Sequence, residues 1–412
     1  MKIEDILEKN NLIIEQAVIL TSGLGKRIEK KSLNFPTPIQ LFNGEPFLNN
    51  IIWNLKRHGI KKIILSIDYL ANNLRNYYGD GSKFGVEISF IEEELSAGTC
   101  GALRQSKILL DDYFLLINGD NLFDINYHDL AQTFEKNKLG HLALNFVSNS
   151  KRYCEVKTKG NIIFSFKENK VINSGYINTG VAIFHKKILD YIPIENSPLE
   201  KEVFQNLLSK RFLSARKYNS FFLDISDPLS LKDAELIIPK WKRKSALFLD
   251  RDGVINIDYG FVHSMDNFKY IKGAKEIIKM ANDFGILVIV VTNQSGIARG
   301  LYNIKEFNTF TEEINNDLKK YGAHIDATYF CPHHPKEGIG EFRKNCNCRK
   351  PKTGMITQAI KEWNLEKNKC FLIGDKDSDI IAANRSDISS CIFSENKDLV
   401  KIFKEKLPTL TS

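Results

Sequence analysis

Leu247-Phe248-Leu249-Asp250-Arg251-Asp252-Gly253 reads as an apolar strand running into two aspartates one residue apart, then a glycine that lets the backbone turn. Two acids and a glycine recur by chance, so the stretch gains meaning from two others downstream. A second apolar run, Gly285-Ile286-Leu287-Val288-Ile289-Val290-Val291, ends at Thr292-Asn293-Gln294-Ser295. A third, Cys370-Phe371-Leu372-Ile373, ends at Gly374-Asp375-Lys376-Asp377. Each buried-type strand releases polar residues at its carboxyl end, where open parallel sheets place ligands.

These residue types suit one chemistry. A carboxylate beside a divalent cation can attack phosphorus and split a slow hydrolysis into two easier displacements; Asp250 is placed for that role. Asp252, across the turn, can protonate the leaving alcohol and then activate water. Asp375 adds a third carboxylate, and hard oxygen ligands of this kind suit Mg²⁺. Thr292 and Lys350 are candidates to hold the transferring oxygens, because developing charge needs fixed donors. Asn293, Gln294 and Ser295 leave the same strand end and are candidates for substrate contact. The bland alternative, turn acids with a threonine cap, explains each motif alone but not their joint order.

Cys331-Pro332-His333-His334 followed by Cys346-Asn347-Cys348 forms a second constellation. Cys-x-His with Cys-x-Cys supplies three thiolates (Cys331, Cys346, Cys348) and one imidazole (His333), a closed tetrahedral Zn²⁺ set of the structural kind. His334 is read as a bystander or as a residue that supports the ligands without binding the metal. The connecting loop, Pro335 to Asn345, is too charged and glycine-rich to order itself by burial, so metal would order it. Arg349 and Lys350 follow the last ligand, so a zinc would aim both cations at a phosphate.

These motifs, from about Ala246 to Phe393, resemble the haloacid dehalogenase superfamily. Within it they look like the histidinol-phosphatase group and its D-glycero-D-manno-heptose 1,7-bisphosphate 7-phosphatases. The resemblance implies Asp250 as nucleophile and Asp252 as acid/base. It places Mg²⁺ on Asp250, Asp375 and the main-chain carbonyl of Asp252, and gives Arg349 and Lys376 roles in substrate recognition.

Upstream, the first strand (Ala17-Val18-Ile19-Leu20) precedes Thr21-Ser22-Gly23-Leu24-Gly25-Lys26-Arg27. Gly23 and Gly25 let backbone N–H groups approach a triphosphate, and Arg27 can pair with its charge. Ala97-Gly98-Thr99 is a second close-approach loop. Asp120, ending Leu115-Leu116-Ile117-Asn118-Gly119-Asp120, could share a second Mg²⁺ with Asp224. Ordinary βα turns with helix caps are the plain alternative. Residues 15 to 238 resemble sugar-1-phosphate nucleotidyltransferases, with Phe35-Pro36-Thr37-Pro38-Ile39, Asn178-Thr179-Gly180 and Asp224-Ile225-Ser226-Asp227-Pro228 in the family's order. The resemblance implies nucleotide contacts at Gly23, Gly25, Arg27, Gly98 and Asn178. Thr37 and Asn169 stand where that family carries lysines, and Ser22 and Cys100 where it carries glycines.

Alternating strands and helices, with a strand-rich run from Leu142 to Phe184, predict an α/β chain of two doubly wound domains. Residues 1–240 are expected as a Rossmann-type, nucleotidyltransferase-like sheet with antiparallel additions. Residues 245–405 are expected as a haloacid-dehalogenase-like sheet with a zinc loop. Lys240-Trp241-Lys242-Arg243-Lys244 is expected as a solvated linker. The 412 residues exceed one core. A scattered net charge of +8 argues against a nucleic-acid partner. No apolar run reaches membrane-spanning length and the N-terminus lacks a signal-peptide core. Seven cysteines, three of them bunched, point to a reducing cytoplasm.

Taken together, the two halves imply one route. The phosphatase would remove the 7-phosphate, and the nucleotidyltransferase would couple heptose 1-phosphate to a nucleoside triphosphate, by resemblance GTP. Three alternatives stay open: histidinol phosphate as the hydrolysed substrate, an N-terminal half that binds nucleotide or sugar phosphate without turnover, and one that serves only as an oligomerisation scaffold.

Overall fold

Apolar runs bounded by turn residues become strands, and the alternation of runs with amphipathic segments becomes a layered α/β fold. The computed structural model describes residues 11–21, 40–42, 44–67, 71–92, 98–150, 153–167, 172–193, 199, 202–226 and 228–411. The chain divides into two units, Met1–Ile238 and Pro239–Ser412.

The main strands of the N-terminal unit are β1 (Gln16–Leu20), β2 (Lys62–Ile67), β3 (Glu87–Glu92), β4 (Tyr113–Asn118), β5 (Gly140–Ser150), β6 (Glu155–Lys159), β7 (Ile162–Lys167), β8 (Ile172–His185) and β9 (Leu213–Tyr218). They form a nine-stranded sheet in the order β3-β2-β1-β4-β8-β5-β9-β7-β6. The first four are mutually parallel. β8 then pairs antiparallel with β4 and β5, and β7 and β6 finish an antiparallel edge. Ala17, Val18 and Ile19 of β1 are wholly buried, as a central strand covered on both faces requires. After β3 comes an α-helix, Gly98–Gln105, followed by a 3₁₀ turn, Ser106–Ile108. The Ser106 hydroxyl donates back to the carbonyls of Ala102 and Leu103, a local bond that competes with helix propagation.

In the C-terminal unit β10 (Lys244–Leu249), β11 (Leu287–Asn293), β12 (Ala327–Cys331), β13 (Leu365–Gly374) and β14 (Ser389–Ile392) form a five-stranded sheet, order β12-β11-β10-β13-β14. Every pairing is parallel. The pleat sorts its core into two layers. Leu247 and Leu249 face one, with Ile277, Phe310 and Phe403 from helices Ala274–Asp283, Ile304–Tyr321 and Leu399–Thr411. Ala246 and Phe248 face the other, with Met355, Ala359, Ala382 and Ala383 from helices Gly354–Glu362 and Asp377–Arg385. Each fully buried Leu, Ile or Phe here contributes about 1.5–3 kcal/mol of transfer free energy. Helices on both faces hold β10 and β13 rigid, which fixes the polar residues at their ends.

The basic stretch expected as a solvated linker is mostly secondary structure. A helix runs over Pro228–Trp241, and Lys244 already opens β10. Lys244 is buried with its Nζ 4.1 Å from the Trp241 ring centroid, where its aliphatic stem and a cation–π contact replace hydration. No described helix is long and apolar enough to cross a membrane.

Candidate active site and metal centre

At the carboxyl ends of β10 and β13, carboxylate oxygens of Asp250, Asp375 and Asp379 lie within 4.8 Å of one another. Such proximity is costly without cations, and Lys350 supplies one. Its Nζ is 3.0 Å from Asp250 Oδ1 and 2.6 Å from Asp379 Oδ1, and donates to the Val291 carbonyl at 2.7 Å. Burial alone would favour the neutral amine, but Asp250 and Asp379 outweigh it and push the Lys350 pKa upward. Asp250 Oδ1 also accepts the Arg251 N–H at 2.8 Å, while Oδ2 has no hydrogen bond among the described residues. Burial, followed by the neighbouring Asp250, pushes the Asp375 carboxyl up to about 6. Asp375 Oδ1 is buried without a hydrogen-bond partner. An orphaned buried oxygen among crowded carboxylates fits a hard divalent cation such as Mg²⁺, held by Asp250 and Asp375.

Two glycines make this crowding possible. A Cβ on Gly253, which sits at φ +91°, would collide with the Asp375 carboxylate; one on Gly374 would collide with Asp379. Asp379, fully buried, was not singled out in the sequence. Its signal was its place in the first turn of the helix Asp377–Arg385 that follows Asp375, where an acid suits the helix start. Its Oδ2 accepts the Lys376 N–H at 3.0 Å, a bond from the third residue of the helix back to the residue that precedes it.

Asp252 is held by three neighbours. Arg251 grips it through Nη2 at 2.8 Å, Asn256 donates at 3.0 Å, and Gln294 Nε2 donates at 3.0 Å. Thr292, buried at the end of β11, accepts from the same Gln294 nitrogen at 2.8 Å. Two residues expected to contact substrate, Asn293 and Gln294, have their amides bonded within the protein. Both ends of the Asn293 amide bond to the Lys350 main chain, at 3.1 and 3.0 Å, clamping the loop that carries Lys350. Gln294 is 2% exposed and bonded within the protein. In both cases the amide is engaged by fixed backbone or side-chain partners. Ser295 opens a short helical turn, Ser295–Ala298. Arg349 donates to the His333 carbonyl, and Lys376, 57% exposed, pairs with Asp258 at 3.1 Å.

Beyond β12, Cys331, His333, Cys346 and Cys348 converge. The three sulfurs are 3.2–3.4 Å apart, and His333 Nδ1 is 3.4 Å from Cys348 Sγ. A tetrahedral zinc with ~2.3 Å bonds to sulfur has ligand edges of about 3.7 Å, so this set fits Zn²⁺ once it opens slightly around the ion. Burial pushes the Cys331 and Cys348 thiols upward, so holding all three sulfurs as thiolates would call for a central cation. His334 lies outside the group; its Nδ1 accepts the Glu337 N–H.

In the N-terminal unit, Asp120 and Asp224 end neighbouring segments. Phe222–Asp224 pairs antiparallel with Asn121–Phe123, and Ile225 N donates to the Asp120 carbonyl at 3.0 Å. Asn178 begins a bulge in β8. There Gly180, at φ +73°, passes so close to Asn118 and Asn121 that no Cβ would fit, and Asn121 donates to the Thr179 carbonyl. Gly98, at φ +62°, opens its helix. Gly23, Gly25 and Arg27, with Thr37 and Asn169, lie outside the described residues.

Comparison with known proteins agrees with this division. Residues 16–241 match the Nucleotidyl transferase family and residues 249–401 the Polynucleotide kinase 3 phosphatase family. D-glycero-beta-D-manno-heptose-1,7-bisphosphate 7-phosphatase of Haemophilus ducreyi is 45% identical over 148 residues, 36% of this chain and 81% of that protein. The like-named protein of Escherichia coli K12 is 40% identical over 149 residues, 36% of this chain and 78% of its own length. Among solved structures, HddC from Yersinia pseudotuberculosis is 25% identical with a TM-score of 0.50, covering 55% of this chain and 100% of HddC. The protein is therefore an enzyme of two parts, belonging to the Nucleotidyl transferase family and, through its second half, to the D-glycero-beta-D-manno-heptose-1,7-bisphosphate 7-phosphatase family.

Proposed function

We propose that the C-terminal unit hydrolyses the 7-phosphate of D-glycero-D-manno-heptose 1,7-bisphosphate, and that the N-terminal unit then transfers a nucleotidyl group, guanylyl by resemblance, to heptose 1-phosphate. The observation that carries the first step is the packing of Asp250 and Asp375 at adjoining strand ends with Lys350 between Asp250 and Asp379.

Asp250 Oδ2 attacks the phosphorus, the bond from phosphorus to the C7 oxygen breaks, and Asp252 delivers a proton to the departing alkoxide. Asp252 then takes a proton from water, whose oxygen attacks the aspartyl phosphate and releases inorganic phosphate. Lys350 and Thr292 hold the transferring oxygens. A magnesium ion on Asp250, Asp375 and the Asp252 carbonyl would offset the repulsion between carboxylate and phosphate. Lys376 and Arg349 would serve in recognising the substrate, as the cations for its other phosphate. Zn²⁺ on Cys331, His333, Cys346 and Cys348 would fix the loop bearing Arg349 and Lys350.

In the second step Gly23, Gly25, Arg27, Gly98 and Asn178 would bind the nucleoside triphosphate, and Asp120 and Asp224 would share a Mg²⁺. The sugar phosphate attacks the α-phosphorus and pyrophosphate leaves, giving GDP-D-glycero-α-D-manno-heptose. The test is a coupled assay on the whole chain with heptose 1,7-bisphosphate of each anomer, Mg²⁺ and each nucleoside triphosphate, following phosphate and pyrophosphate separately. Phosphate release together with pyrophosphate from GTP is expected. Phosphate without pyrophosphate from any triphosphate leaves the N-terminal unit as a binding module, and preferential hydrolysis of histidinol phosphate overturns the heptose assignment.

A further inference from the structure

Behind the acidic cluster lies a chain of hydrogen bonds whose polarity is chemically forced. Gln294 touches Arg251, Tyr302, Asp252 and Thr292 at once. Arginine only donates, and an ionised carboxylate only accepts. Gln294 must therefore turn Oε1 toward Arg251 Nη2 (3.2 Å) and Nε2 toward Asp252 Oδ2 (3.0 Å). Tyr302 reinforces that choice, donating its hydroxyl to Oε1 at 2.5 Å. Burial pushes the Tyr302 phenol up to about 12, so it keeps its proton throughout the neutral range. On the far side Thr292 Oγ1 accepts from Nε2 at 2.8 Å, which leaves its own O–H hydrogen to be donated elsewhere.

We propose that Tyr302 is a positioning residue for phosphoryl transfer: through Gln294 it fixes the carboxylate of Asp252 and turns the Thr292 hydroxyl into a donor toward the transferring phosphoryl oxygen. This rests on the phosphatase reading above and adds to it residues that touch no substrate. Tyr302 itself is 5% exposed and its ring stacks on His263 at 4.8 Å, so it is held from both sides. Gly296, two residues after Gln294, exists for it: a Cβ there would collide with the Tyr302 ring. The Thr292-Asn293-Gln294-Ser295-Gly296 run thus has a division of labour. Thr292 faces the reaction, Asn293 clamps Lys350, Gln294 carries the orientation, and Gly296 admits the aromatic ring that fixes it.

The test is a double-mutant cycle on the full chain with heptose bisphosphate and Mg²⁺. Tyr302→Phe is expected to lower kcat roughly tenfold, the weight of one well-placed hydrogen bond, with KM within about twofold. Gln294→Leu is expected to lower kcat further, and Tyr302→Phe in that background to cost nothing more. A readout independent of turnover is the Gln294 side-chain amide: its Nε2 protons should exchange faster with solvent in Tyr302→Phe. Gly296→Ala, which must displace the same ring, is the second variant and should give the same KM-preserving fall. Wild-type protein without phosphatase activity would sink the functional reading itself. Active wild type with unchanged kcat in Tyr302→Phe and Gly296→Ala, or additive losses in the cycle, overturns the positioning role.

Discussion

At the ends of β10 and β13 three carboxylates crowd together, two of them paired with the buried ammonium of Lys350. At the end of β4 in the other unit, Asp120 and Asp224 are joined through backbone pairing, with the Asn178–Gly180 bulge beside them. Both sites obey the same rule, polar residues at the carboxyl ends of parallel strands. They differ in how charge is balanced. The phosphatase site carries its own counter-cation inside the protein, so its geometry exists before substrate arrives. The N-terminal sequence carries Thr37 and Asn169 where the resemblance expects lysines, so in the proposed nucleotide site charge balance would depend more on metal and nucleotide. A site that is pre-organised should fail by losing rate; one completed by its ligands should fail by losing binding.

The largest effect should come from Asp250→Asn, which removes the nucleophile while preserving shape. Phosphate release should fall by roughly 10⁴-fold or more, with pyrophosphate release from nucleoside triphosphate unchanged when heptose 1-phosphate is supplied directly. Loss of both signals would break the division of labour between the units. The reciprocal change, Asp120→Asn, should remove pyrophosphate release and spare phosphate release. If both products survive, Asp120 is not part of a metal site.

Lys350→Met sharpens the contrast through stability. Removing the cation leaves Asp250 and Asp379 facing each other with no buried counter-charge, a loss of about 3–5 kcal/mol when one partner of a buried pair is deleted. Urea unfolding of the C-terminal unit should show it, and adding Mg²⁺ should recover only part. An unchanged midpoint would mean that the Lys350 pairs carry no net stability. Cys346→Ser, or chelation, should act on the neighbouring loop instead. One zinc per chain is expected by elemental analysis of the wild type, with a lower melting temperature and reduced turnover once it is gone.

The same contrast shows what a sequence can disclose. The strand ends were legible because fully buried strands are continuous apolar runs, so the first polar residue marks the edge of the sheet. The Cys/His spacing was legible because ligands for one small ion must lie close together in both chain segments. The direction of an amide was not legible. Asn293 and Gln294 are adjacent in sequence, yet one grips the Lys350 backbone and the other reaches Asp252, Thr292 and Tyr302. Which way each faces depends on partners distant in the chain. Asp379 is hidden for a simpler reason: the sequence does not say that the helix after Asp375 starts at Asp377 and turns its third residue back to the cluster. Lys244 looked like a linker residue because composition records its charge but not the Trp241 ring that covers its stem.

The smallest expected effect belongs to the N-terminal unit and concerns pH. His141 is fully buried on β5, its Nδ1 2.7 Å from Ser214 Oγ and its Nε2 3.1 Å from Thr133 Oγ1. Burial first, and then the Arg216 charge, hold its pKa down at about 3 against an ordinary 6.5. The unfolded chain therefore binds a proton below pH 6.5 that the folded chain refuses. Stability is fully present above 6.5 and declines as pH falls toward the folded value, by about 1.4 kcal/mol for each pH unit that His141 alone accounts for. Hydrogen exchange of the β5 and β9 amides between pH 7 and 5 should register the loss. In His141→Gln that slope should flatten, at some cost in stability at pH 7 from altered contacts with Ser214 and Thr133. Equal slopes in the two proteins would show that His141 takes up its proton without unfolding, and that the pairing of β5 with β9 is looser than its buried hydrogen bonds indicate. The phosphatase cluster, in the other unit, has no part in this loss. Asp375 works the other way: its carboxyl is pushed up to about 6, so its protonation favours the folded state as pH falls.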